Sequence, residues 1–197
     1  MTDNSLIREI KKYAEEENVP IMQDEGIEFL TEFIIKNNVV SILEVGTAIG
    51  YSAIMMALIS DRIKVTTIER DEERYLEAVK NVKKFGLEDR ITLIFKDALE
   101  VNLSGKYDLI FLDGAKGQNI NFFEHFENNL NENGFVITDN INFHGYVKKD
   151  ESEIKSRNLR GLVRKIKDYI NYLKTSMKYE TIFYEKGDGI SVTKRKR

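Results

Sequence analysis

The sequence predicts an α/β domain: a doubly wound, mostly parallel sheet with helices on both faces, finished at one edge by an antiparallel hairpin. Three observations carry this. Five short runs rich in Val, Ile, Leu and Phe, at 41–45, 64–69, 91–96, 108–113 and 134–139, each lead into an acidic residue or glycine. Helical patterns lie between them, notably 52–60, 71–85 and 119–130. Near-continuous apolar strands alternating with helices imply a parallel sheet covered on both sides. Last, the runs 179–185 and 189–194 are joined by Lys186-Gly187-Asp188-Gly189, a link so short that the two strands must be antiparallel.

Taken in order, the chain opens with helical stretches at about 4–17 and 24–37, split by Asn18-Val19-Pro20, which holds the only proline. Together they make an N-terminal helical cap over 1–38. The run Ser41-Ile42-Leu43-Glu44-Val45-Gly46-Thr47-Ala48-Ile49-Gly50-Tyr51-Ser52 reads as a buried strand, a glycine turn and the start of a helix. Asp71 is placed to cap the next helix, and Phe85-Gly86-Leu87 has the form of a glycine-terminated helix end. After the fifth strand, Ile154, Leu159, Leu162, Val163, Ile166, Ile170 and Leu173 recur at mostly helical spacing over 152–175, within a basic helical segment at 147–178. No repeat, linker or low-complexity stretch divides the chain, so 197 residues form a single domain, 1–197.

Composition narrows the class. Hydrophobic residues at 42% and charged residues at 32% describe a globular protein, and the absence of cysteine excludes disulfides and thiolate metal sites. Met1–Asn18 is polar and acidic without the apolar centre of a leader, and no apolar run approaches the roughly 20 residues that span a bilayer. The expectation is a cytoplasmic protein without a membrane partner. Charge is unevenly spread: residues 144–197 carry a net +8, residues 1–143 a net −11. A basic C-terminal part suits a polyanionic partner, or is simply a solvated helix face with a basic tail.

In open α/β sheets the ligand sits beyond the carboxyl ends of the strands. The turn after 41–45 aims backbone N–H groups and a helix start at a small anionic group, but its Glu-x-Gly-x-x-x-Gly spacing departs from the dinucleotide fingerprint. Glu69, at the end of 64–69, has the acceptors to take both hydroxyls of a ribose, or belongs to the acidic start of the next helix. Asp97-Ala98 offers one acceptor and one N–H to an adenine edge, or Asp97 is an N-cap. Asp113 and Asp139-Asn140 end neighbouring strands and would bring two carboxylates and an amide oxygen into one crevice. That hard-oxygen set suits Mg²⁺ or a similar cation; the alternative is a pair of loop caps. Lys116, beside such a cation, would have its pKa lowered into the range of a general base; otherwise it is an ordinary lysine. His144 could line a substrate mouth, and His125 is given no role.

As an ordered set, Leu43–Ser52, Glu69, Asp97-Ala98, Asp113-Gly114-Ala115-Lys116 and Asp139-Asn140 resemble the metal-dependent, class I S-adenosylmethionine O-methyltransferases, the family of the catechol and caffeoyl-CoA enzymes. The resemblance covers about residues 20–194. Pro20-Ile21-Met22-Gln23-Asp24-Glu25-Gly26, Asp139-Asn140-Ile141-Asn142-Phe143-His144-Gly145 and Arg157-Asn158-Leu159-Arg160 resemble most the bacterial tRNA 5-hydroxyuridine methyltransferases. The resemblance implies a Rossmann-like, seven-stranded sheet and a homodimer. It implies that Ile21 or Met22 closes over S-adenosylmethionine, that Glu44, Gly46 and Ser52 hold its amino-acid end, and that Glu69, with Arg70, binds the ribose side. Asp97 and Ala98 would take the adenine, Asp113, Asp139 and Asn140 the Mg²⁺, and Lys116 would be the base beside Asp113.

The expected reaction is methylation of the 5-hydroxyuridine hydroxyl in tRNA at the wobble position, giving 5-methoxyuridine, with Arg157, Arg160, Arg164, Lys165 and Lys194-Arg195-Lys196-Arg197 among the phosphate contacts. The alternative acceptor is a small catechol-like or phenolic metabolite. Two other classes compete: a nicotinamide oxidoreductase, which Glu69 alone permits, and a non-catalytic RNA-binding protein that keeps the fold.

Overall fold

A computed structural model describes residues 4–196. Its centre is a seven-stranded sheet built from β1 (Ser41–Val45), β2 (Lys64–Glu69), β3 (Ile91–Phe95), β4 (Tyr107–Leu112), β5 (Leu130–Thr138), β6 (Tyr179–Tyr184) and β7 (Ile190–Arg195). The strand order is β3-β2-β1-β4-β5-β7-β6, with β1 to β5 parallel and β7 antiparallel to both β5 and β6. The sheet reverses its winding between β1 and β4, the switch point at which such sheets open a crevice.

Alternation along the strands sends successive side chains to opposite faces. Ile42 packs with α1 (Asn4–Glu16), α2 (Asp24–Lys36) and α3 (Tyr51–Leu58), whereas Leu43 packs with α5 (Asn119–Phe126) and α6 (Arg157–Thr175). α4 (Glu72–Lys84) adds Val82 to the first layer. Its start and end follow the expected chemistry. The Asp71 carboxylate accepts the Arg74 N–H at 3.0 Å, and Gly86, at φ +63°, lets the Leu87 N–H reach back to the Val82 carbonyl.

Three boundaries differ from the sequence reading by more than two residues. The helix expected over 152–175 begins at Arg157, because the Ser156 hydroxyl caps it while residues 151–153 form a separate 3₁₀ turn capped by Asp150. The helix expected to reach 130 ends at Phe126 in a further 3₁₀ turn. β5 begins at Leu130, ahead of the expected 134, and its pairing with β4 slips in register between Tyr107 and Leu109. No helix among the described residues is long and apolar enough to cross a membrane.

Candidate active site

A pocket of about 440 Å³ opens beyond the carboxyl ends of β1, β2, β4 and β5. Its floor is the turn between β1 and α3. Gly46 has φ +102°, and a Cβ on it would lie 2.6 Å from the Asp113 carbonyl oxygen, so this turn and the end of β4 meet backbone to backbone. Gly50, also in the left-handed region, starts α3.

At the β2 end of the pocket, Glu69 is nearly buried and accepts three backbone N–H groups: Ala48 at 2.8 Å, and Arg70 and Asp71 both at 2.9 Å. Those contacts fix the carboxylate in the pocket wall. Asp97 accepts the Leu99 N–H at 3.0 Å and pairs with exposed Arg70 at 3.4 Å, so it is a cap and a pocket residue at once. Ala98, Ile21, Met22, Gly46 and Ser52 also line the pocket.

Glu44 does not. Its side chain is wholly buried behind the wall, and its two oxygens accept the Ser52 and Thr67 hydroxyls, each at 2.5 Å. Thr67 continues to Thr47, which lines the pocket, at 2.6 Å. From there it supports the pocket wall through Ser52 and, by way of Thr67, through Thr47. Burial pushes the Glu44 carboxyl up to about 8, with the Ser52 and Thr67 hydrogen bonds working against it.

At the β4–β5 end, Asp113 and Asp139 stand at the tips of adjacent strands with Asn140, and all three line the pocket. Lys116 reaches back one turn, its Nζ 2.5 Å from Asp113 Oδ1, and both side chains are largely shielded from water. Burial, then the Asp113 charge, pushes the Asp139 carboxyl up to about 7, while Lys116 opposes the shift. Among the described residues no three His, Cys, Asp or Glu side chains gather as a cation site. Two mutually repelling carboxylates and an amide oxygen nevertheless fit Mg²⁺, which binds through one or two carboxylates and keeps waters.

The basic residues divide. The amino-terminal part of α6 lies against the turn after β4: a Cβ on Gly117 would meet Lys165 Cδ at 3.2 Å. Arg157 is exposed at the start of the same helix. Arg160 and Arg164 are engaged locally, Arg160 donating to the Ile154 carbonyl at 2.7 Å and Arg164 to Glu151 at 2.6 Å. The C-terminal basic run lies elsewhere. Because β7 is antiparallel to β5, Lys194 pairs with Phe135 while Ser191 pairs with Thr138, beside the pocket. Lys194 binds Glu180, Arg195 the carbonyls of Glu127 and Leu130, and Lys196 that of Ser176. Arg197 lies outside the described residues. These residues tie down the end of the sheet away from the pocket.

Phe143 and His144 line the mouth, as do Arg74 and Lys96. His125 instead sits 2.9 Å from the Val101 carbonyl on the side of α5. Sequence reasoning missed Thr67, Arg74 and Lys96; only the paired threonines in the middle of β2 hinted at the first.

The fold is that of the S-adenosylmethionine-dependent methyltransferases, with Asp113 and Asp139 lining the pocket at its strand ends. An O-methyltransferase family model matches residues 1–196. A solved structure of a candidate caffeoyl-CoA O-methyltransferase from Staphylococcus aureus is 40% identical, covers 96% of this chain and 92% of its own, and superposes with a TM-score of 0.91. The caffeoyl-CoA O-methyltransferase of Populus kitakamiensis is 26% identical, over 94% of this chain and 82% of its own. The flavonoid 3′,5′-methyltransferase of Vitis vinifera is 27% identical, over 93% and 81%. The chain belongs to the O-methyltransferase family and, by that membership, is an S-adenosylmethionine-dependent O-methyltransferase.

Proposed function

We propose that the protein transfers the methyl group of S-adenosylmethionine to the 5-hydroxyl of 5-hydroxyuridine in tRNA. The observation that carries this reading is the position of α6, whose basic amino-terminal part flanks the turn bearing Lys116, with Lys165 over Gly117. A polyanion entering the pocket would meet that helix first.

The residues divide the work. Glu69, Asp97 and the β1–α3 turn hold the donor, with Ile21 and Met22 above it. Lys116 takes the acceptor proton at Nζ, and the acceptor oxygen forms its bond to the methyl carbon as the carbon–sulfur bond breaks, releasing S-adenosylhomocysteine. Most of the acceleration comes from holding the two reactants in line. Asp113, Asp139 and Asn140 would hold Mg²⁺. Bound there, the cation would supply Lewis acidity to the acceptor oxygen and compete with Lys116 for Asp113.

A second reading, methylation of a small catechol or phenol, is favoured by the names of the relatives and by the local engagement of Arg160 and Arg164. Both acceptors offer two neighbouring oxygens on a planar ring, so one site suits either. Incubation with labelled S-adenosylmethionine, with tRNA containing 5-hydroxyuridine or with a catechol, and with Mg²⁺ or EDTA, separates them. Label in 5-methoxyuridine that EDTA abolishes is the expected result; label in the catechol alone transfers the conclusion to the second reading.

The double variant Arg157→Ala/Lys165→Ala should lower kcat/KM for tRNA and flatten its dependence on log salt by about two units of slope, roughly one per lost phosphate contact. An unchanged salt slope would remove α6 from the RNA surface.

A further inference from the structure

We propose that Asp188, in the β6–β7 turn, is the positioning residue for the acceptor side of the pocket, holding the 139–145 loop in its course. The consequence for turnover rests on the reading that this loop presents Asn140 and His144 to the acceptor; the clamp itself stands on geometry.

The loop is unusual. Asn140, Phe143 and His144 take φ of +58°, +46° and +54°, and Gly145 follows at +76°. Left-handed backbone at a phenylalanine and a histidine is uphill and persists only where neighbours impose it. The β6–β7 turn supplies them. Asp188 Oδ1 and Oδ2 accept the His144 N–H at 2.7 and 2.9 Å, the Asp188 carbonyl accepts the Asn142 N–H at 2.9 Å, and the Gly189 carbonyl accepts that of Ile141 at 3.0 Å. Gly189, at φ +85°, lies so close that a Cβ would stand 2.7 Å from Asn142 Cγ.

A hairpin turn does not need this carboxylate. The Gly189 N–H closes the turn on the Lys186 carbonyl at 2.9 Å, and Gly187 and Gly189 provide the positive φ. Asp188 is instead 9% exposed, with both oxygens committed to one amide of another segment and His144 Nδ1 3.5 Å away. On its other side the same turn meets α2. The Gly187 N–H donates to Glu25 Oε2 at 3.0 Å and Lys186 lies 3.3 Å from Glu25, just beyond the 20–23 segment over the donor end. Four residues thus bridge the donor lid and the acceptor loop, with Asp188 serving only the latter.

Amide hydrogen exchange on the full chain, read with isothermal titration of S-adenosylmethionine and steady-state turnover, tests this. Asp188→Ala should speed exchange within 140–147, cut acceptor kcat/KM ten-fold or more, and leave the S-adenosylmethionine Kd within two-fold. Asp188→Asn, which keeps one acceptor oxygen, should fall between, and it decides the matter if the alanine variant does not fold. Unchanged exchange at 140–147, or a cofactor affinity that falls in step with kcat/KM, overturns the proposal. If the wild type turns over neither tRNA nor catechol, the functional reading fails, and exchange still judges the clamp.

Discussion

Replacing Lys116 with methionine is expected to lower kcat by about two to four orders of magnitude, the usual contribution of a positioned general base, while S-adenosylmethionine binds as tightly as before. Methionine keeps the aliphatic stem and removes only the amine. The stem is shielded and the amine faces Asp113, so the loss falls on proton transfer rather than on folding. Single-turnover rates with saturating donor, alongside calorimetric donor affinity, make the measurement. A kcat within three-fold of the wild type would remove Lys116 from the chemistry. A parallel loss of donor affinity would make it a structural strut of the β4 turn.

The second large effect concerns stability. The buried Glu44 carboxyl, raised to about 8, holds its proton to higher pH than it would in the unfolded chain, whose ordinary value is 4.5. Between those values the unfolded state binds fewer protons, so stability falls as pH rises. The contribution is fully present below about 4.5, declines across the window and is gone above about 8. Each unit of difference is worth about 1.36 kcal/mol, and each kcal/mol moves the Tm of a chain this size by roughly 2–4 °C. The ligand-free protein should therefore melt on the order of 10 °C lower at pH 8.5 than at pH 5. Asp139, raised to about 7, acts with the same sign. Glu44→Gln removes the larger part of the slope, its amide oxygen accepting from one of the Ser52 and Thr67 hydroxyls and its N–H donating to the other. A Tm that rises with pH in the wild type, or a slope the glutamine variant leaves intact, would show that Glu44 is ionised in the fold.

The central strands β1 and β4 were legible because they lie buried between two helical layers and so read as near-continuous apolar runs, while the short glycine link gave away the β6–β7 hairpin. The same logic located the site, since strand-terminal acids such as Glu69, Asp113 and Asp139 interrupt those runs at the carboxyl edge. The hydroxyl partners of Glu44 were not legible, because its motif gives the residue but not the side of the pleat. One alternation step decides whether a carboxylate faces the ligand or the helix behind it. The place of the basic tail was not legible for a related reason: charge counting ignores direction, and an antiparallel last strand carries its end away from the crevice. Ser156 was readable as an N-cap only by setting it against the helical periodicity that begins before it. Asp188 was invisible, because Gly-Asp-Gly has the composition of any tight turn and the groups it serves lie 44 residues earlier.

The contact of Gly46 with the Asp113 carbonyl has a consequence for how such an enzyme can change over generations. The floor of the pocket and the strand end that carries Asp113 and precedes Lys116 share one van der Waals surface. Any side chain at position 46 would push on both, so its effect would be felt in both substrates' affinities at once. Variation that retunes acceptor choice is therefore channelled into the loops above β5 and into α6, and the junction below is left with a single admissible residue.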